Sequence, residues 1–193
     1  MTLIKKLFGT EKPKEVDPNH LGILVIDMTD YYLQAHDKTK LKLIQTQREV
    51  IQLSVQKGYP IYFIEMYTPN HTGETIPELT DLVGSRESLN ITKKRNRSAF
   101  EKTELSLELK AANISSLFLM GVNAAYCVQE TVSDARKKFT VATSRDVIAE
   151  GAGKSDGVCF LSEGIEEWYR KKTLYQPRYS DHNFFNGSAP EKN

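Results

Sequence analysis

The sequence GILVID at residues 22–27 decides the fold class, because it is a continuous apolar, β-branched run that ends on an acidic residue. Such a run is typical of a strand buried on both faces of a parallel sheet, which puts Asp27 at the carboxyl end of the strand. Apolar residues then recur at helical spacing through residues 41–55, and residues 61–64 form a second apolar run. The three segments predict a β-α-β unit.

Strands and helices continue to alternate along the chain after a polar loop at residues 68–90. We predict further elements at residues 89–92 (strand), 103–112 (helix), 116–120 (strand closed by Gly121), 126–139 (helix), from 141 (strand) and 165–169 (helix). The alternation predicts one α/β domain with a mostly parallel central sheet and helices on both faces, a Rossmann-like arrangement.

The chain ends are predicted to differ from the domain between them. Residues 1–20 are rich in Lys, Glu and Pro and are interpreted as an N-terminal arm, which leaves residues 21–173 as the domain. Residues 174–193 form an aromatic C-terminal tail that packs either on its own domain or on another subunit.

Composition narrows the classes of partner. The formal net charge is +1, so nothing in the overall charge favours nucleic acid or an anionic membrane. No stretch approaches the roughly 20 apolar residues of a membrane span, and the first residues hold too few apolar side chains for a signal peptide. We therefore expect a cytoplasmic protein with a small-molecule substrate. The two cysteines do not suggest a disulfide framework, which leaves thiol chemistry open.

Three residues of reactive type, Asp27, Lys94 and Cys127, each follow a predicted strand. Since the carboxyl ends of parallel strands meet at one edge of a sheet, the fold would bring them together. A thiol at a helix entry next to an ammonium is expected to favour the thiolate, and a nearby carboxylate could accept its proton. The competing interpretations are a buried structural cysteine and an aspartate that only caps a turn.

The basic run KKRNR at residues 93–97 has two interpretations. It lacks the interleaved aromatic residues of a nucleic-acid patch, so most of it is expected to be solvated surface. Lys94 is the candidate site residue, while Arg95 or Arg97 either binds a carboxylate of the substrate or pairs with an acidic side chain.

Three motifs together resemble one family. LVIDM at residues 24–28, KRNRSAF at 94–100 and GVNAAYCV at 121–128 are similar, in this order, to motifs of the isochorismatase-like cysteine hydrolases, which include nicotinamidases and N-carbamoylsarcosine amidases. The similarity covers roughly residues 21–150. It implies the isochorismatase-like hydrolase fold and, because related hydrolases often form dimers or higher assemblies, a homo-oligomer.

The resemblance also implies roles for individual residues. Cys127 would be the nucleophile, Asp27 the general base, and Lys94 the group that stabilises the thiolate and the developing negative charge. A cis peptide between Val122 and Asn123 would direct the backbone N–H groups of Asn123 and Cys127 at the substrate oxygen, as an oxyanion hole. The candidate substrate-binding residues are Tyr32, Tyr67, Arg95 and Tyr126.

The chain departs from the family pattern at two places. Thr29 stands where an amide side chain is common, which leaves the substrate preference open. Nicotinamidases carry an Asp-x-His metal motif after the second strand, whereas this chain has Glu65 and Tyr67 there, with His71 as a later histidine. We therefore expect neither a catalytic metal nor another cofactor.

The combined interpretation is a cysteine-dependent hydrolase of a small amide, ureide or carbamoyl substrate that works through a covalent acyl-enzyme. One alternative is a catalytically silent small-molecule-binding or interaction protein on the same scaffold. Another is isochorismatase-type vinyl ether hydrolysis, against which the presence of Cys127 argues. A nucleotide-binding protein is disfavoured, because residues 121–125 lack the further glycines of a dinucleotide fingerprint.

Overall fold

The structure is a computed structural model that describes residues 15–33, 38–67, 73–151, 158–159 and 161–186 of the 193-residue chain. Its strands are β1 (Leu21–Ile26), β2 (Ile61–Met66), β3 (Asn90–Lys94), β4 (Ser116–Val122), β5 (Thr140–Ser144), β6 (Ile148–Gly151), β7 (Val158–Cys159) and β8 (Leu174–Gln176). Its α-helices are α1 (Lys38–Lys57), α2 (Pro77–Thr80), α3 (Leu105–Ala111), α4 (Gln129–Ala135), α5 (Glu163–Lys172) and α6 (Asn183–Asn186). His71 and the side chain of Cys159 lie outside what is described.

The sheet is mostly parallel. Its main path has the order β3-β2-β1-β4-β5-β8, and each neighbouring pair on this path is parallel. Strand β6 pairs in parallel with the end of β4, and β7 runs antiparallel to β6. Helices flank the sheet, so the predicted single α/β domain with a mostly parallel sheet is confirmed.

The central strands are apolar because both of their faces are covered. Every residue of β1 and of β4 is buried, which is the burial pattern expected from the continuous apolar runs in the sequence. Helix α1 contributes Leu43, Val50 and Ile51 to the same core. This packing fixes the carboxyl ends of β1 and β4 side by side.

Strand β4 continues past the point where the sequence suggests an end. Gly121 does not close the strand, because it pairs with Ile26 of β1 and with Ile148 of β6 before Val122 completes β4. Its φ of +140° is a conformation that only glycine adopts without strain. The glycine is thus needed for a close approach of backbones within the sheet.

The helix predicted at residues 126–139 is divided into two parts. A π-helical turn at Ala124–Val128, here called the nucleophile turn, precedes α4, and the amide of Val128 donates to the carbonyl of Asn123 at 3.2 Å. Cys127 lies in this wide turn. Turns of this kind occur often at functional sites, and apolar spacing in the sequence cannot distinguish them from an α-helix.

The described part of the C-terminal tail packs on its own domain. Strand β8 pairs with β5, so the sheet extends beyond residue 173, where the sequence suggested a domain boundary. His182 is hydrogen-bonded through Nε2 to the carbonyl of Thr143 at 3.1 Å, and the ring of Phe185 packs edge-on against Phe118 with centroids 5.0 Å apart. Apolar aromatic burial therefore holds the tail in place.

The described part of the N-terminal arm also contacts the domain. Pro18–His20 forms one turn of 3-10 helix, whereas the sequence suggested no regular structure there. Asp17 caps this turn by accepting from the amide of Asn19, and its own amide donates to Ser116 Oγ at 3.0 Å. Within the described residues, no helix combines the length and the apolar character needed to cross a membrane.

Replacing Gly121 with alanine is expected to destabilise the fold by about 3 kcal/mol or more, from backbone strain and overpacking together. A Cβ at this position would overlap the backbone carbonyl oxygen of Ile26. Gly164 of α5 is a matched control, because a Cβ there meets nothing within 4 Å. Gly164→Ala should be neutral or stabilising by up to about 1 kcal/mol. Urea unfolding followed by circular dichroism measures the stability of both variants. Equal unfolding midpoints would contradict the conclusion that position 121 requires glycine.

Candidate active site

The sheet brings Asp27, Lys94 and Cys127 to one edge. Asp27 follows the last residue of β1, Lys94 is the last residue of β3, and Cys127 lies five residues after the end of β4. Strands β1, β2, β3 and β4 are parallel neighbours, so their carboxyl ends share this edge. This is where open α/β sheets bind ligands.

A buried ion pair joins Asp27 and Lys94. The distance between Lys94 Nζ and Asp27 Oδ2 is 2.7 Å, and both side chains are fully buried. Lys94 Nζ also donates to the backbone carbonyls of Arg97 at 3.0 Å and Asn96 at 3.3 Å. All three ammonium donors are therefore used. Asp27 Oδ1, by contrast, has no hydrogen-bond partner among the described residues.

Burial and the Lys94 charge have opposite effects on the pKa of the Asp27 carboxyl. Burial raises the pKa of Asp27, and the Lys94 ammonium opposes the rise. The backbone of Asp27 has a φ of +52°, a left-handed conformation that aspartate tolerates better than most residues. A carboxyl with a raised pKa can both accept a proton and release it during a reaction.

The surroundings of Cys127 favour a neutral thiol. Only 4% of its surface is exposed, and burial together with the Asp27 charge raises the pKa of Cys127 to about 12, with Lys94 opposing. The prediction that this position favours the thiolate is therefore wrong for the resting site. The physical reason is that desolvation and the carboxylate outweigh the ammonium, which already serves Asp27.

The nucleophile turn is held at both ends. The Val122–Asn123 peptide bond that leads into it is cis, and this is the bond for which the family resemblance implies a cis peptide. The carbonyl of Ala124 accepts from the hydroxyl of Tyr169 at 2.7 Å, and the carbonyl of Cys127 accepts from Thr131 Oγ1 at 2.7 Å.

Sequence reasoning did not identify Tyr169 or Thr131. Thr131 follows Cys127 by four residues, so the spacing of one helical turn is a signal that could have found it. Tyr169 lies 45 residues from Ala124 in the chain, and no local pattern marks it.

Tyr32 lies near Asp27 and Cys127. Burial raises the pKa of Tyr32 to about 12, and the charges of Asp27 and Cys127 add to the rise. Such an electrostatic effect requires proximity, so this candidate is brought to the site.

The other candidate residues form two stacked pairs at the exposed surface. The guanidinium of Arg95 lies 5.4 Å from the ring centre of Tyr67, and that of Arg97 lies 5.0 Å from the ring centre of Tyr126. Tyr126 directly precedes Cys127 in the nucleophile turn, and its side chain is 52% exposed. Stacking on an aromatic face orients a guanidinium without neutralising it.

Glu65, at the place of the nicotinamidase metal motif, belongs to an ion pair. Arg86 donates to Oε1 at 3.2 Å and to Oε2 at 2.8 Å, and the amide of Thr75 donates to Oε1 at 2.9 Å. Residues 73–76 are in turn held beside the site, because the amide of Ile76 donates to the carbonyl of Met28 at 2.8 Å. Across the described ranges, no group of three or more His, Cys, Asp or Glu side chains could hold a metal ion.

Most of the chain matches one protein-family model. The family model described as the isochorismatase domain matches residues 22–150. The chain belongs to the isochorismatase family. The resemblance found from the three sequence motifs is thereby confirmed. No curated protein matches this isochorismatase-family chain.

Solved structures share the isochorismatase-family fold at low identity. An N-carbamoylsarcosine amidase from Thermoplasma acidophilum is 18% identical with a TM-score of 0.66, covering 83% of this chain and 96% of that one. A nicotinamidase from Bacillus subtilis is 19% identical with a TM-score of 0.63, covering 79% and 93%. A cysteine hydrolase from Pseudomonas syringae is 12% identical with a TM-score of 0.73, covering 90% and 95%. At these identities the likeness concerns the fold.

Lys94→Met is expected to destabilise the protein by about 3–5 kcal/mol near neutral pH, because it leaves the Asp27 carboxylate buried without an opposite charge. The loss of the ammonium raises the Asp27 pKa further, so the carboxyl becomes neutral as the pH falls and the cost disappears in mild acid. Urea unfolding near neutral pH and in mild acid measures the stability of the variant under both conditions.

The neighbouring Lys93, which is exposed on β3, is the control for this experiment. Lys93→Met should change stability by less than about 0.5 kcal/mol at either pH. A Lys94→Met variant that is as stable as Lys93→Met near neutral pH would contradict the importance of the buried pair.

Proposed function

We propose that this chain is a cysteine hydrolase that cleaves a carbon–nitrogen bond of a small amide, ureide or carbamoyl substrate. The observation that carries the proposal is the buried Asp27–Lys94 pair beside the Cys127 thiol at the carboxyl edge of the sheet. Membership in the isochorismatase family supports a hydrolase, and similar folds occur in an N-carbamoylsarcosine amidase and a nicotinamidase.

In the first half of the proposed reaction, Asp27 takes the proton of the Cys127 thiol while the sulfur attacks the carbonyl carbon of the substrate. Because the thiol pKa is raised to about 12, proton transfer during the attack avoids a free thiolate. The carbonyl electrons move to oxygen, where the N–H groups of Asn123 and Cys127 stabilise the charge. The carbon–nitrogen bond then breaks, and the leaving nitrogen takes the proton from Asp27.

The second half releases the acyl group from sulfur. Water attacks the thioester carbon while Asp27 accepts a proton from it, and the carbon–sulfur bond breaks. The proton returns from Asp27 to the sulfur of Cys127, and the carboxylic acid product leaves. Lys94 opposes the effect of burial on the Asp27 pKa, which favours the ionised form that accepts each proton.

Two arginines at the exposed side of the site, Arg95 and Arg97, support a substrate that carries an acidic group. Neither Arg95 nor Arg97 forms an ion pair with a described carboxylate, and each is oriented by an aromatic ring. Arg97 stacks on Tyr126, whose neighbour in the chain is the proposed nucleophile. We therefore place the acidic group of the substrate at Arg97 and its planar carbonyl group near Tyr32. Cytoplasmic location and homo-oligomerisation stay predictions.

The first functional test uses a panel of small amides, ureides and N-carbamoyl amino acids, incubated with protein that has been dialysed against a chelator. Cys127→Ser should abolish turnover and remove any acyl adduct seen in the intact mass. Asp27→Asn keeps the shape but removes the base, so kcat should fall by about 10²–10⁴-fold.

Cys159→Ser is the control for the thiol and should retain turnover. Near wild-type turnover in both Cys127→Ser and Asp27→Asn would rule out this mechanism. Activity that disappears with the chelator and returns with added zinc, iron or manganese would show that metal chemistry is involved.

The second functional test separates the two arginines. Arg97→Met should raise KM for an N-carbamoyl amino acid by about tenfold to a hundredfold, the usual effect of losing one charge-assisted hydrogen bond. KM for the corresponding amino acid amide should stay unchanged. Arg95→Met is run beside it, and Arg136→Met, an exposed position at the end of α4, is the control. A selective effect of Arg95→Met alone would assign the acidic group to Arg95 instead.

A further inference from the structure

Thr131 makes two hydrogen bonds that join different parts of the site. Its side chain is fully buried on α4, and Oγ1 donates to the carbonyl of Cys127 at 2.7 Å. The same oxygen accepts from the amide of Ala99 at 3.0 Å. One hydroxyl therefore connects the nucleophile turn to the lysine loop, which we define as residues 95–100.

The lysine loop is the segment that holds the ammonium of Lys94. The carbonyls of Asn96 and Arg97 accept from Nζ, and Ala99 follows two residues later. The carbonyl of Ala99 accepts from Thr103 Oγ1 at 2.6 Å. Ala99 is thus fixed through its carbonyl by Thr103, just beyond the loop, and through its amide by Thr131 of α4.

This pair of hydrogen bonds differs from the ordinary behaviour of a hydroxyl on a helix. Ser133, on the same helix, donates to the carbonyl of Gln129 at 3.0 Å in the same i to i−4 geometry, as many helical Ser and Thr residues do. Thr131 additionally satisfies the buried amide of Ala99, which would otherwise lack a partner in the protein interior.

Three separate elements supply the proposed catalytic groups. Asp27 and Lys94 contact each other directly at 2.7 Å, whereas Cys127 comes from the nucleophile turn. The electrostatic effect of Lys94 on the sulfur depends on the distance between them. A fixed link between the lysine loop and the nucleophile turn would hold that distance constant.

We infer that Thr131 is a positioning residue whose hydroxyl fixes the lysine loop against the nucleophile turn and so sets the placement of Lys94 relative to Cys127. The inference rests on the proposed function, because this placement matters for chemistry only if Cys127 is the nucleophile. Ser98 also contacts Asp134 of α4, but that contact does not reach the nucleophile turn. The stack of Arg97 on Tyr126 joins the same two segments at the exposed surface rather than in the interior.

Thr131→Val tests the inference, since it keeps the shape of the side chain and removes the hydroxyl. We expect kcat to fall by about tenfold to a hundredfold with little change in KM, because small displacements of reacting groups have effects of this size. The pH profile of Cys127 alkylation should shift to higher pH as Lys94 loses its fixed position. Thr131→Ser restores the hydroxyl and should recover most of both properties.

Ser133→Ala is the matched control, because it removes the same kind of bond from the same helix without affecting the lysine loop. It should leave kcat and the alkylation profile near wild type. If Thr131→Val does not fold, Thr131→Ala is smaller, also lacks the hydroxyl, and carries the same expectations.

Several outcomes would overturn the inference. Wild-type kcat and an unchanged alkylation profile in Thr131→Val would show that the hydroxyl does not couple the two segments. Equal losses in Thr131→Val and Thr131→Ser would show that keeping the hydroxyl does not preserve the placement, and an equal loss in Ser133→Ala would assign the effect to general damage of α4. Full turnover in Cys127→Ser would instead refute the proposed function, which separates the two failures.

Discussion

The buried ion pair between Asp27 and Lys94 constrains the structure of the surrounding site. Removing both charges from water costs several kcal/mol for each ion, and the cost is offset only when geometry and additional hydrogen bonds are good. The backbone carbonyls of Asn96 and Arg97 supply those bonds. The path of the chain after β3 is therefore dictated by the need to solvate one ammonium with protein atoms, and the parallel sheet positions its carboxylate partner.

Two buried carboxylates of this chain, Glu65 and Asp27, differ in how completely their oxygens are hydrogen-bonded. Glu65 receives a bidentate Arg86 and a backbone amide, so both of its oxygens are bonded and it serves to hold residues 73–76 in place. Asp27 has one oxygen bonded to Lys94 and one left open. The proposed reaction uses the open oxygen of Asp27, because a carboxylate oxygen without a hydrogen-bond partner can accept a proton.

Much of the fold could be predicted because the central strands are continuous apolar runs, as in residues 22–26 and 116–120. The proximity of Asp27, Lys94 and Cys127 to one sheet edge could be predicted for a related reason, since each lies at or just beyond the carboxyl end of a strand. Other features depend on contacts between distant segments. Gly121 continues β4 because two neighbouring strands require it, and residues 174–176 become a strand only because β5 offers a free edge.

The outer strands of the main sheet path have a consequence for solubility during folding and storage. An exposed edge can recruit a strand from another molecule unless it is short or carries charge or proline. Strand β8 has three residues and is followed by Pro177, while β3 has five residues and exposes Lys93. Both edges are therefore poor templates for cross-chain β-pairing, which lowers the tendency of the folded protein to aggregate.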